Sequence, residues 1–415
     1  MSATASVLIL GASTSVRLAT GLVILKFFAW YFGPANFGLL TQIMGVAAIF
    51  NTFAGGGITN GLIRNIAAAR SEIEIRGWLS AGMTINALSS LVLTGIALVL
   101  WQFNEGAVFR NPSYAPVFLG IALVQPFVGI GNLILAYFSG IRQIHKYSVI
   151  NVVANITSLL VLIGLAQVLG LKGAIAGLIL SPALIGGIAL WSLSRDTRDH
   201  GVLRFGWDGR QIADLMWYAA AMACAVTAAP ISQLIIRLRM SESAGWEFVG
   251  YWQAVAKLSD SYMLFVGVVL VNHLLPELSR RRDNAHALRS VCRLGAPIVC
   301  SFALGATAVY LDREQIIRLV FSPEFSWAST FVLPQLLGDG VRVIALLLHY
   351  FFMSRGLIFV VCVNETIPPI ATLLFYVVFF PYFGPIAAVY GHVVSGILLL
   401  FTTVATLLFF QSARL

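Results

Sequence analysis

Five basic side chains stand inside stretches that are otherwise apolar: Arg17, Lys26, Arg64, Lys257 and Arg342. A charge near the centre of a bilayer costs about 2.5–3.5 kcal/mol on insertion scales, so such groups face a hydrated cavity or a partner. Arg17, Lys26 and Arg64 have no acidic residue within one helical turn. Helical spacing gathers polar residues around the bases: Ser13, Arg17, Thr20 and Gly21 share one face, and Thr52, Gly56, Asn60 and Arg64 follow one another at i+4 steps. Further stripes are Gln253, Lys257, Asp260 and Ser261, and then Gln335, Asp339, Arg342 and His349. A cationic surplus in a wet cleft suits an anionic head group, and a planar guanidinium binds two phosphate oxygens together, so a pyrophosphate is the natural ligand. Lys26 lies nine residues beyond Arg17, on the opposite face, where it can instead snorkel to the interface.

Asp260, Asp339 and Glu365 are the acids well inside apolar stretches, which makes them candidates for ion coupling. Two of them have a simpler use, because Lys257 with Asp260 and Asp339 with Arg342 are i,i+3 pairs able to neutralise one another. Glu365 precedes Pro368-Pro369, which is expected to break its helix and free carbonyls for a cation; a plain kink beside a snorkelling Glu is the competing account. His273, His349 and His392 read as packing or interface residues. Cys224, Cys292, Cys300 and Cys362 show no metal-ligand spacing and read as reduced packing residues, so no metal is expected. No phosphate-binding glycine loop and no catalytic constellation occurs, which argues against ATP hydrolysis, a cofactor or an enzyme.

The elements that must hold these residues follow from composition. Of 415 residues 59% are hydrophobic and 10% charged, far below the quarter typical of soluble domains. From Thr366 to Ala413 there is no Asp, Glu, Lys or Arg, more than twice the roughly 20 residues that cross a bilayer. The stretches are apolar on every face, which excludes barrel strands and predicts an all-α polytopic membrane protein. About twelve transmembrane helices are expected, near 5–31, 37–66, 78–103, 115–139, 147–169, 172–193, 211–236, 247–275, 290–311, 327–353, 357–380 and 385–410. The first is expected to be retained, since no basic stretch precedes it. A net charge of +9 without a basic, aromatic-rich soluble module gives no reason to expect nucleic acid. Alternate loops hold fifteen basic residues, among them Arg198, Arg281, Arg282 and Arg414, against six on the other side (Arg110, Lys172, Arg237, Arg239, Arg313 and Arg318), so both termini are predicted cytoplasmic. The loop arginines also suit contacts with anionic membrane lipids.

Short matches recur at nearly one offset. Gly173-Ala174-Ile175-Ala176 and Gly384-Pro385-Ile386-Ala387 are 211 apart, Tyr137-Phe138 and Tyr350-Phe351 are 213 apart, and Phe37-Gly38 and Val249-Gly250 are 212 apart. Half the chain is therefore read as a repeat of the other, with an N-lobe of six helices over 1–208, a C-lobe of six over 209–415, and a central cavity between them.

Gly33-Pro34-Ala35, Gly38-Leu39, Gly55-Gly56-Gly57-Ile58 and Asn60-Gly61 resemble the first-lobe signature of Wzx-type flippases, within the multidrug/oligosaccharidyl-lipid/polysaccharide exporter superfamily. Trp246, Val249-Gly250, Trp252-Gln253, Ser259-Asp260, Tyr262, Leu274-Leu275-Pro276, Gln335-Leu336, Gly338-Asp339 and Arg342 resemble the branch acting on lipid III, the enterobacterial common antigen precursor. The resemblance implies two six-helix lobes with alternating access in the bacterial inner membrane. It implies an undecaprenyl-pyrophosphate-linked saccharide, of lipid III or O-antigen type, moved from the cytoplasmic to the periplasmic leaflet. It places basic residues at Arg17, Lys26, Arg64 and Arg342 and acids at Asp260 and Asp339; Lys257 is outside the pattern and rests on its stripe alone. Expected binding residues are thus Arg17, Lys26, Arg64, Lys257, Arg342, Asn60 and Gln253, with a glycan polymerase and a chain-length regulator as protein partners. Two rivals are weighed. An ion-coupled drug or metabolite antiporter of the same fold would prefer an acidic cavity, and a membrane glycan polymerase or ligase would need a large outer loop.

Overall fold

The structure, a computed structural model, describes residues 3–103, 108–195, 204–280 and 283–412. Arg198, Arg281, Arg282 and Arg414 lie outside the described residues, as does the side chain of Cys224. Every regular element described is helical: α1 (Ala3–Phe53), α2 (Thr59–Ala68), α3 (Glu72–Phe103), α4 (Pro116–Gly140), α5 (Ile144–Ser194), α6 (Gly209–Val269), α7 (Leu275–Arg280), α8 (Asn284–Leu311), α9 (Arg313–Val320), α10 (Val332–Ser354), α11 (Ile358–Phe383) and α12 (Ala387–Ser412). Helix is the expected outcome for chain in hydrocarbon, where each backbone polar group must be satisfied within its own segment.

Eight of the described helical stretches are long and apolar enough to cross a membrane. Four of these run for 51 to 58 residues, far more than one crossing needs. Each of the four contains a glycine with positive φ: Gly33, Gly170, Gly245 or Gly384. Divided at these glycines, the eight stretches give twelve segments. The dihedral angles repeat with the sequence offset. Gly33 (φ 70°, ψ 178°) is matched by Gly245 (φ 79°, ψ 171°), 212 residues on. Gly170 (φ 61°, ψ −138°) is matched by Gly384 (φ 60°, ψ −147°), 214 residues on. Both conformations are essentially open only to glycine, so each half turns its chain with the same device at the same place.

Two compact units emerge, one formed by Met1–Phe28 with Gln42–Thr227 and the other by Ala29–Thr41 with Ala228–Leu415. The first is centred on Ile58, Leu62 and Ile66 of α2, with Leu79 and Ile85 of α3, Ile134 and Phe138 of α4, and Leu215 from the start of α6. The second has its core at Leu270, Leu274, Leu278, Val291, Phe351 and Phe352. Within the second unit the stretch after Gly33 crosses the stretch after Gly245 at very short range. A Cβ on Gly38 would stand 2.2 Å from the Trp246 carbonyl oxygen, and one on Gly250 would stand 2.1 Å from that of Pro34. Gly38 and Gly250 are 212 residues apart, and so are Pro34 and Trp246. The contact is therefore reciprocal, the arrangement of a two-fold interface realised inside one chain.

Two readings made from the sequence are revised here. Arg237 and Arg239, placed in an outer loop, lie on α6, which runs on to its kink at Gly245; Arg237 is only 3% exposed. The Pro368-Pro369 pair does not break α11, which stays helical from Ile358 to Phe383. The missing N–H groups still leave the carbonyls of Asn364 and Glu365 without their i+4 donors, so the freed oxygens survive without a break.

Candidate functional site

The stripe along α10 meets α12 through small residues. A Cβ on Gly338 would lie 2.5 Å from His392 Cδ2, and one on Gly396 would lie 2.9 Å from the Gly338 carbonyl oxygen. With no side chain in the way the two helices approach closely, as small residues allow in membrane proteins. His392 thereby reaches Asp339, its Nε2 donating to Oδ1 at 2.8 Å. Asp339 is completely buried. Its other oxygen accepts from Ser259 Oγ at 2.5 Å and from the Tyr262 hydroxyl, both on α6. Three donors from two neighbouring helices thus surround one carboxylate, the condition under which a charged group is tolerated away from water.

That network forms one wall of a cavity of about 210 Å³ within the second unit. Ser232, Gln233, Ser259, Asp260, Gln335, Arg342, His392 and Ser395 line it, along with Pro368, Pro369 and Thr372 of α11. Arg342 lies one turn beyond Asp339 but does not pair with it; its Nε is buried and makes no hydrogen bond. The i,i+3 neutralisation expected for Asp339 and Arg342 is therefore replaced by the His392 contact, and the guanidinium has no acidic partner among the described residues. Lys257 and Asp260 do form their expected pair, Nζ to Oδ2 at 2.9 Å. Gln253 is buried and accepts from Arg237 Nη1 at 3.4 Å, while its own Nε2 is buried without a partner. Neither Gln253 nor Lys257 lines this cavity. Glu365 is also absent from its lining, and lies 3.9 Å from His349 Nε2.

A second cavity, of about 380 Å³, belongs to the first unit. Its construction begins with three consecutive left-handed residues, Gly55, Gly56 and Gly57 (φ 70°, 76° and 68°), which end α1 and start α2. A Cβ on Gly56 would sit 2.3 Å from Ile85 Cγ2, so the turn packs flush against α3. The turn presents Thr59 and Asn60 to a space also bordered by Asn51, Thr52, Asn132 of α4, and Met216, Ala219, Ala220 and Ala223 of α6. Arg17, Lys26 and Arg64, in the same unit, are exposed and form no ion pair among the described residues.

Of the residues singled out from the sequence, the structure brings Asp260 and Arg342 together, with Asp339 directly behind them, and places Asn60 in the cavity of the other unit. It does not gather Arg17, Lys26, Arg64, Lys257, Gln253 or Glu365 into either lining. Sequence reasoning reads His392 as a packing or interface residue, meets Tyr262 only within a motif and counts Arg237 in a loop, and it passes over Gln233 and Asn132. A polar residue directly after two close-packing glycines, Gly129 and Gly131, was the available signal for Asn132.

Residues 3–281 match the family described as polysaccharide biosynthesis protein. The chain is 27% identical over 350 residues to the lipid III flippase of Escherichia coli (strain K12), covering 83% of each chain, and to the same degree to that of Shigella flexneri. Among solved structures it is similar to the lipid II flippase MurJ in an inward-closed conformation, with a TM-score of 0.79, 14% identity, and coverage of 97% of this chain and 87% of that one. It is also similar to an inward-facing multidrug resistance transporter of the MATE family, with a TM-score of 0.67, 14% identity, and coverage of 95% and 94%.

Proposed function

Given that the chain belongs to the polysaccharide biosynthesis protein family, we propose that it is a flippase for an undecaprenyl-pyrophosphate-linked oligosaccharide, of lipid III or O-antigen type. It is a multi-pass protein of the inner membrane and acts as a transporter. The head group passes from the cytoplasmic to the periplasmic leaflet by alternating access, with 1–208 and 209–415 as the moving lobes and both termini cytoplasmic. The polyprenyl tail stays in lipid throughout. A glycan polymerase and a chain-length regulator are the protein partners that such a product requires.

The observation that carries this reading is Arg342, a guanidinium whose buried Nε has no partner and which opens on a polar cavity. A buried donor left unbonded costs about 1–3 kcal/mol, more when charged, and a phosphate oxygen removes that cost. Arg17, Lys26 and Arg64 extend the supply of unpaired positive charge along the route. Lys257 and Gln253 support the same path from α6, and Asn60 offers an amide to the sugar. Asp260, Asp339 and Glu365 are the groups through which translocation could draw on an ion gradient. A drug antiporter for cationic substrates calls for acids in excess, whereas the cavity of the first unit has no charged residue in its lining and that of the second unit has one base to set against Asp260.

The test is reconstitution of purified protein in liposomes containing a fluorescent lipid-linked saccharide. Arg342→Gln and Arg17→Gln should each slow translocation about 10- to 100-fold, the span expected for losing a charge-assisted phosphate contact. Wild-type rates in both variants at equal protein level would refute the reading.

A further inference from the structure

Phosphate chemistry does not account for the cavity of the first unit. Its lining contains no Asp, Glu, Lys, Arg or His, and its polar groups are the side chains of Asn51, Thr52, Thr59, Asn60 and Asn132. Two of these are engaged: Asn51 Oδ1 accepts from Gln125 Nε2 at 3.3 Å, and Thr52 donates its hydroxyl proton to the Ala48 carbonyl at 2.8 Å. The side chains of Thr59, Asn60 and Asn132 make no hydrogen bond to any described residue. A carboxamide offers two donors and an acceptor, and a hydroxyl offers one donor with two acceptor lone pairs. That mixture of uncharged donors and acceptors fits a ligand bearing hydroxyl and amide groups, not an ion. A volume of about 380 Å³ suits a single small polar unit more than a whole oligosaccharide.

The register of α2 says which unit. Arg64 stands four residues after Asn60 on the same helix face, about 6 Å further along the axis at ~1.5 Å per residue. A phosphate held by Arg64 therefore brings the sugar esterified to it beside Asn60. We propose that this cavity is the subsite for the phosphate-bearing sugar of the translocated lipid, an uncharged hexose or N-acetylhexosamine, and that Thr59, Asn60 and Asn132 determine which sugar is accepted. The inference rests on the flippase reading and adds to it a division of labour. Cations hold the diphosphate without regard to the glycan, and the amides read the first sugar.

The experiment compares equilibrium binding of two lipids to purified protein in nanodiscs: undecaprenyl pyrophosphate, and the same lipid carrying one N-acetylhexosamine. Wild-type protein should bind the glycosylated lipid about tenfold more tightly, the worth of one to two neutral hydrogen bonds. Asn132→Leu combined with Thr59→Val should remove that preference while leaving the unglycosylated lipid unaffected. Should that double variant fold poorly, Ala220→Trp, which fills the cavity from α6, should give the same selective loss. Equal weakening of both lipids in these variants, or no preference in the wild type, would overturn the subsite and leave the flippase reading standing. Failure of the wild type to bind either lipid would remove both.

Discussion

The two cavities differ in kind although the halves that hold them are built alike. Helices α4 and α10 show this most directly, since Tyr137-Phe138 and Tyr350-Phe351 align them at an offset of 213, with Phe138 and Phe351 both fully buried. In that register Pro126 and Gly129 on α4 occupy the positions of Asp339 and Arg342 on α10. Gly129 lets the backbone of Gly55 approach to within contact, a Cβ there falling 2.9 Å from the Gly55 nitrogen. The same face of α10 instead carries an acid held by three donors and a base held by none. The halves share the backbone devices that set helix direction, the matched glycine breaks and the reciprocal crossing. Their polar side chains differ, so one cavity offers neutral hydrogen bonding and the other offers charge.

The largest test of that contrast is Asp339→Leu. Removing the carboxylate strands His392, Ser259 and Tyr262 in a buried site, and a buried unsatisfied group costs about 1–3 kcal/mol. A loss on the order of 3 kcal/mol is expected, read as a lowered unfolding temperature in detergent. An unchanged or raised temperature would mean that the network is no more than packing, and would remove the distinction between α10 and α4. The next test probes what the halves share. Gly38→Ala and Gly250→Ala each push a methyl group onto a carbonyl oxygen, and overpacking of this sort costs about 1–3 kcal/mol. Because the contact is reciprocal the two variants should lose similar stability, and the double variant should lose less than the two losses combined. Markedly unequal losses would break the two-fold description. The smallest effect belongs to Lys257→Gln. Its ion pair with Asp260 is partly exposed, with 59% of the Asp260 side chain accessible, and such pairs are worth under about 1 kcal/mol. Stability should hardly move, and a translocation assay would show whether the ammonium matters beyond the pair.

The helices, their apolar faces and the glycine breaks were legible in the sequence because each is set by residues within a few positions of one another. The stripes on α6 and α10 were legible for the same reason, and so was the Lys257 and Asp260 pair. What escaped notice was set by contacts across helices. His392 approaches Asp339 from 53 residues away, and only the pairing of Gly338 with the face of α12 brings it there. Charge read as the end of a span puts Arg237 in a loop. In the folded chain it finds Gln233 and Gln253 and stays buried on the helix. The prolines of α11 misled in the opposite sense, since a pair of ring residues costs a helix two hydrogen bonds without obliging it to stop.

Helix α8 has a consequence of its own. Over His286–Leu311 only 6% of the residues in its most apolar 18-residue window are buried within the protein. Its 26 residues span about 39 Å, against roughly 30 Å of hydrocarbon. Acyl chains are therefore its principal neighbours, and the surplus length has to be taken up by leaning over or by stretching the surrounding lipid. Swapping one large aliphatic side chain for another on this helix should pass unnoticed. A thinner or thicker membrane should not, which makes lipid chain length a handle on this helix that needs no change to the protein.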